Sequence, residues 1–96
     1  MFVGALELDL LLGDVRSLKQ KRSVIRPVLA ELRRLEVSAT ESDGHDLHRR
    51  AALGIAVAAP DAARVTDLLD RCERFVAARP EFELLAAHRR LFGPED

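Results

Sequence analysis

The stretch Arg16-Ser-Leu-Lys-Gln-Lys-Arg-Ser-Val-Ile-Arg-Pro-Val-Leu-Ala-Glu-Leu-Arg-Arg34 decides how this chain is read. Leu18, Ile25, Val28, Leu29, Leu32 and Leu35 recur at helical steps, which makes one face apolar. Ser17 stands where an N-cap belongs. The remaining faces carry Arg16, Lys19, Lys21, Arg22, Arg26, Arg33 and Arg34, and Glu31 is the single acid among them. Two residues disturb this helix. Pro27 has no N–H and its ring meets the carbonyl of Ser23, so a kink or loose first turns are expected. Counted from Ile25 and Val28, Lys21 falls on the apolar face.

Outward from this helix the pattern changes to period two. Phe2 to Leu12 puts Leu6, Leu8, Leu10 and Leu12 on one side and Glu7 and Asp9 on the other, a half-buried strand ended by Gly13-Asp14. On the far side, Glu36 to Ser42 reads as a short strand with Val37 and Ala39 inward. A polar loop, Ser42 to Arg49, leads into Arg50 to Ala59, where Leu53, Ile55 and Val57 alternate with Ala52, Gly54, Ala56 and Ala58. Pro60-Asp61 opens a second helix with Asp61 as cap. Its buried stripe is Val65, Leu68, Leu69, Cys72, Phe75 and Val76. Its outer face pairs Asp67 with Arg71 and Asp70 with Arg74 at i,i+4 spacing. Pro80 stops it, Phe82 to Leu91 is a last strand, and residues 92–96 form a short tail.

Strand, helix, strand, strand, helix, strand is the ferredoxin-like βαββαβ plan. It predicts an α+β domain over residues 1–96, with a four-stranded antiparallel sheet and both helices on one face. The 96 residues suit one domain, and 48% hydrophobic with 32% charged residues is a globular balance. The apolar start is broken by Glu7 and Asp9 and lacks a basic leader, so neither a signal peptide nor a membrane span is expected. A lone cysteine excludes an internal disulfide and suits a reducing cytoplasm.

This topology brings the end of the first strand, the start of the first helix and the Ser42–Arg49 loop to one end of the domain. Lys19, Lys21, Arg22, Arg26, Arg49 and Arg50, joined by His48, would there form a phosphate-binding, nucleic-acid-binding end. Unpaired N–H groups at the helix start add to its field. Lys19, Arg22, Arg26 and Arg33 continue it as a stripe. The alternative is a solvated basic face, and the chain as a whole, at net charge −1, is not basic. Base stacking on the sheet is not expected, because none of the four Phe falls at the centre of its outer face. The small residues Ala52, Gly54, Ala56 and Ala58 on that face suggest an interface for a homodimer or another protein.

Catalytic signatures are missing: no Gly-rich phosphate loop and no nucleophile elbow occur. Glu7 and Asp9 share a strand face as solvent-side residues do. Cys72, in an apolar stripe, reads as an inert thiol. His45-x-x-His48 with Asp43 and Asp46 is loop spacing without a further ligand, so no metal or other cofactor is expected, and no enzyme.

Taken together, Leu6-Glu-Leu-Asp-Leu10, Asp14, Ser17-Leu-Lys-Gln-Lys-Arg22, Val37-Ser38, Glu41, Asp43, Asp46-Leu47, Arg50-Ala51 and Leu53-Gly-Ile-Ala-Val57 resemble the YlxP-like family of small bacterial proteins, a domain of unknown function. The resemblance covers nearly the whole chain. It implies a ferredoxin-like fold and a cytoplasmic protein. Family members are often encoded beside transcription and translation-initiation factors and a ribosome-binding factor, which implies work near RNA or a ribosomal subunit. The family's basic segment falls on Lys19, Lys21 and Arg22, and its hairpin motif on Asp43, Asp46 and Arg50. Here His45, His48 and Arg49 stand where the family usually has Gln, Trp and Gln. The expectation is a non-enzymatic RNA- or ribosome-associated accessory protein; the alternative is a dimeric interaction module.

Overall fold

In the computed structural model, which describes residues 1–96, six elements follow in order: β1 (Phe2–Leu12), α1 (Leu18–Arg33), β2 (Ser38–Asp43), β3 (Arg50–Ala59), α2 (Ala62–Ala77) and β4 (Phe82–Phe92). The sheet order is β2-β3-β1-β4, and β3 pairs antiparallel with both β1 and β2, as β4 does with β1. The fold is therefore ferredoxin-like α+β. No helix is long and apolar enough to cross a membrane.

The alternation in β1 is realised as written: Leu6, Leu8, Leu10 and Leu12 lie in the core with Leu53, Ile55 and Val57 of β3. α1 supplies Ile25, Val28, Leu29 and Leu32, and α2 supplies Val65, Leu68, Leu69, Cys72 and Val76. Each buried Leu, Ile or Val contributes roughly 1.5–3 kcal/mol by leaving water. Phe75 is only half-buried, and the Arg79 guanidinium lies over its ring at 5.5 Å.

Both caps form. Ser17 Oγ accepts from the Gln20 N–H at 3.1 Å, and Gln20 Oε1 reaches back to the Arg16 N–H at 2.6 Å. This is the reciprocal logic of a capping box, displaced by one residue. Asp61 Oδ1 accepts from the Arg64 N–H at 2.8 Å. Pro27 does not break α1, which runs through it. Pro27 and Ser23 are both exposed, so the carbonyl that Pro27 leaves unpaired lies on the wet side of the helix.

Three expectations are corrected. β2 begins at Ser38 rather than Glu36, because Glu36 takes a positive φ of 65° in the turn after α1. Asp67 pairs with Arg71 at 3.3 Å, but Asp70 does not take Arg74. It pairs with Arg89 of β4 at 2.8 Å, and the same guanidinium reaches Glu73 at 3.2 Å. One planar fork satisfies two carboxylates that neighbouring turns of α2 hold above the sheet. Ala52 is buried and does not share in the open small-residue face. A register shift in β2 between Glu41 and Asp43 sets Asp43 opposite Ala52 and brings Ser42 Oγ within 3.3 Å of the Ala52 carbonyl.

Candidate nucleic-acid interface and the open sheet face

The end of β1, the start of α1 and the β2–β3 hairpin do meet, and two side chains bind them together. Lys21 Nζ donates to the Gly44 carbonyl at 2.6 Å and lies 2.6 Å from Glu41 Oε2. The Glu41 contact is ionic, since its geometry falls outside that of a hydrogen bond. Arg49 Nε donates to the Gly13 carbonyl at 3.1 Å, with the Leu12 carbonyl at 3.3 Å. The backbone N–H of Leu12 returns to the Arg49 carbonyl at 2.8 Å.

These contacts divide the seven expected nucleic-acid contacts. Lys21 is 2% exposed, the one charged residue of the core, and holds the end together from inside. It is therefore removed from the anion-binding set: the helical period puts it over β2, where Glu41 neutralises it. Arg49 is exposed but its Nε is committed to the β1 carbonyls. Lys19, Arg22, Arg26, His48 and Arg50 are exposed. None of the ion pairs includes Lys19, Arg22, Arg26 or Arg50. Elsewhere cations are mostly answered by acids: Arg64 by Glu36, Arg71 by Asp67, Arg79 by Glu81, and Arg89 by Asp70 and Glu73. Arg33, expected to extend the stripe, turns its Nε to the Ala39 carbonyl at 3.1 Å. Lys19, Arg22 and Arg26 cover about 10 Å of helix axis at 1.5 Å per residue.

The sheet's other face is open. Ala5, Gly54 and Ala56 line a trough of about 580 Å³, walled by Ser38 and Thr40 of β2 and by His88 and Arg90 of β4. Ala56 and Ala58 are exposed as expected, and Gly54 is half-buried. Glu7 lines the trough, and Glu7 and Asp9 take separate partners. Ser42 Oγ lies 3.0 Å from Glu7 Oε2 and 3.3 Å from the Ala52 carbonyl, its one proton serving either. Asp9 Oδ2 is 3.5 Å from His88 Nε2. Sequence reading missed the β4 wall; its signal was the period-two placement of His88, Arg90 and Phe92. Nowhere do three or more His, Cys, Asp or Glu side chains gather in a way that would hold a metal ion.

Cys72 is sealed beneath α2. Burial pushes its thiol up, and the Arg89 charge offsets this only in part. A raised pKa leaves less thiolate at neutral pH, and only the thiolate is nucleophilic. Cys72 is expected to resist maleimide labelling in the folded protein and to react fully in denaturing urea, as read by intact mass.

The site lies on a ferredoxin-like α+β domain whose first helix carries an exposed basic row at Lys19, Arg22 and Arg26. The chain belongs to the family described as a protein of unknown function (DUF503), whose model matches residues 3–89. It is similar to the uncharacterised protein YlxP of Bacillus subtilis (strain 168), at 29% identity over 82 residues, covering 84% of this chain and 89% of that protein. The likeness drawn from Leu6–Leu10, Ser17–Arg22 and Leu53–Val57 is thereby established.

Proposed function

We propose that this protein is a non-enzymatic accessory protein that binds RNA, at the ribosome, through the phosphates facing α1. The observation that carries this reading is the unpaired row Lys19, Arg22 and Arg26 in a chain whose other cations are mostly matched. Three cations over about 10 Å match the span of about four successive phosphates at 3.4 Å of rise per strand. His48 and Arg50 extend the same end, and the first N–H groups of α1 add a positive field. Contacts of this kind read backbone and shape rather than base sequence. The cytoplasmic setting belongs to the same proposal.

The test is co-sedimentation with ribosomal subunits at low and moderate salt. Salt-sensitive travel with one subunit is the expected result, and absence from every ribosomal fraction at both salts removes the ribosome. Replacing Lys19, Arg22 and Arg26 together by Ala is expected to leave the thermal midpoint in place. It should flatten the slope of log affinity against log salt by roughly 2 to 3, since each lost phosphate contact removes about 0.7–0.9. An unchanged slope in that folded variant would take α1 out of the interface.

A further inference from the structure

We propose that the RNA held by α1 is single-stranded where it reaches the β2–β3 hairpin, and that Leu47 and His48 at the hairpin tip stack an unpaired base. The proposal rests on the α1 reading. It adds the form of the RNA and the contact that selects that form.

The path of the strand follows from two contacts. At about 100° per residue, Lys19, Arg22, Arg26 and Arg33 fall within about 60° of arc on α1. Arg33 carries its Nε to the Ala39 carbonyl of β2, and β2 is an end strand of the sheet. The flank that bears the row therefore overhangs the outer edge of β2 and faces away from α2. Near the other end of α1, Lys21 Nζ meets the Gly44 carbonyl just past the end of β2. α1 and β2 thus run in opposite directions, and a backbone tracked from Arg26 to Lys19 arrives at the hairpin. Duplex RNA offers two backbones and is recognised by contacts across its grooves. A single file of cations serves one strand.

The tip is built to present side chains. The Gly44 carbonyl that takes Lys21 also accepts from the Leu47 N–H at 3.0 Å, and Asp43 Oδ1 accepts from the Gly44 N–H at 2.8 Å. Arg49 holds the other side on the Leu12 and Gly13 carbonyls. The tip backbone is fixed at both ends while its side chains stay out. Leu47 is 50% exposed. His45, Asp46 and His48 are exposed and enter none of the ion pairs. Apolar side chains and His rings are surfaces on which unstacked bases rest. Asp46, beside Leu47 in the chain, repels phosphate, so the group that meets the tip is a base and the backbone stays on α1. Stacking tolerates any base, so the contact selects an unpaired nucleotide and not a sequence.

The test is fluorescence anisotropy at low salt with a labelled RNA strand of about 12 nucleotides, alone and annealed to its complement. The single strand is expected to bind about tenfold more tightly than the duplex, the low end of what one stacked base supplies. Leu47→Ser with His48→Ala, both at exposed sites, should bring the single strand down to the duplex level and leave duplex binding and the thermal midpoint in place. Leu47→Ser alone removes no charge, so it should weaken the single strand at an unchanged salt slope. His48→Phe keeps a ring without any charge and is expected to bind the single strand at least as tightly as the unaltered chain. A preference for the single strand that survives the double substitution overturns the tip contact. Equal affinity for the two forms, both lowered by K19A/R22A/R26A, also overturns it and leaves the α1 reading standing. Binding of neither form overturns both.

Discussion

Replacing Lys21 by Met is expected to destabilise the domain by about 3 kcal/mol, the low end of the range for breaking a buried ion pair. The aliphatic stem of Lys21 packs within the core and Met fills most of that volume, so the loss comes from the ammonium group alone. Its removal strands two groups. The Gly44 carbonyl loses a donor at 2.6 Å, and the Glu41 carboxylate, 19% exposed, loses the only cation beside it. A carboxylate this sheltered has poor access to water, and its solvation penalty is then unopposed. For a domain of this size, 3 kcal/mol corresponds to a fall of roughly 12–20 °C in thermal midpoint. Urea unfolding checks the figure. Glu41→Gln introduced with Lys21→Met should recover part of the loss, because an amide is cheaper to bury than an unpaired charge. A K21M variant as stable as the unaltered protein would mean that the pair contributes no more than its hydrophobic isostere.

The same clamp governs how the basic end is held. Lys21 stands between Lys19 and Arg22 in the chain, yet it points inward and ties the hairpin at Gly44 to α1. The hairpin residues His45, Leu47 and His48 are exposed, and the hairpin's other tether is Arg49 on the carbonyls closing β1. Loosening the clamp should therefore weaken the proposed phosphate binding indirectly, by mobilising His48 and Arg50, while leaving the α1 row in place.

What could be read without the structure followed from local periodicity. Leucines at every second residue of β1, three-and-four spacing in both helices, and Ser17 and Asp61 as caps report backbone choices that neighbouring residues make. Lys21 marks where this reading stops. Its place on the apolar face of α1 was visible, but its partner is twenty positions away on another element, and no periodicity links the two. Ala52 was misplaced for a related reason. Alternation put it on the same side of β3 as Gly54 and Ala56, but the β2 register shift beside it, which sets Asp43 opposite Ala52, arises in strand pairing. Arg89 shows the same limit: spacing within α2 offered Asp70 an arginine four residues on, and a bidentate partner from β4 won. Contacts between elements decide these positions, and they carry charges that the proposed function draws on.

Gly4→Val is expected to destabilise the domain by roughly 3 kcal/mol or more, the upper part of the range for overpacking a core. Gly4 lies on the helix-facing side of β1 where α2 crosses it, and it is buried. A Cβ built there would collide with Val65 Cγ1 and come within 2.9 Å of Leu69 Cδ1. Val65 is 1% exposed and Leu69 is 1% exposed, so neither methyl has free space to retreat into. Only a shift of α2 away from the sheet relieves the contact, and interiors packed to crystalline density resist such shifts. Glycine weakens a strand interior, and here close helix approach demands it. Gly4→Ala adds the Cβ alone, so it should lower the urea midpoint less than Gly4→Val. Trimming the obstacle should rescue it: Val65→Ala with Gly4→Ala is expected to be more stable than Gly4→Ala alone, although Val65→Ala by itself removes buried methyls. Losses that simply add in the double variant would mean that α2 already sits far enough from β1 to admit a methyl group.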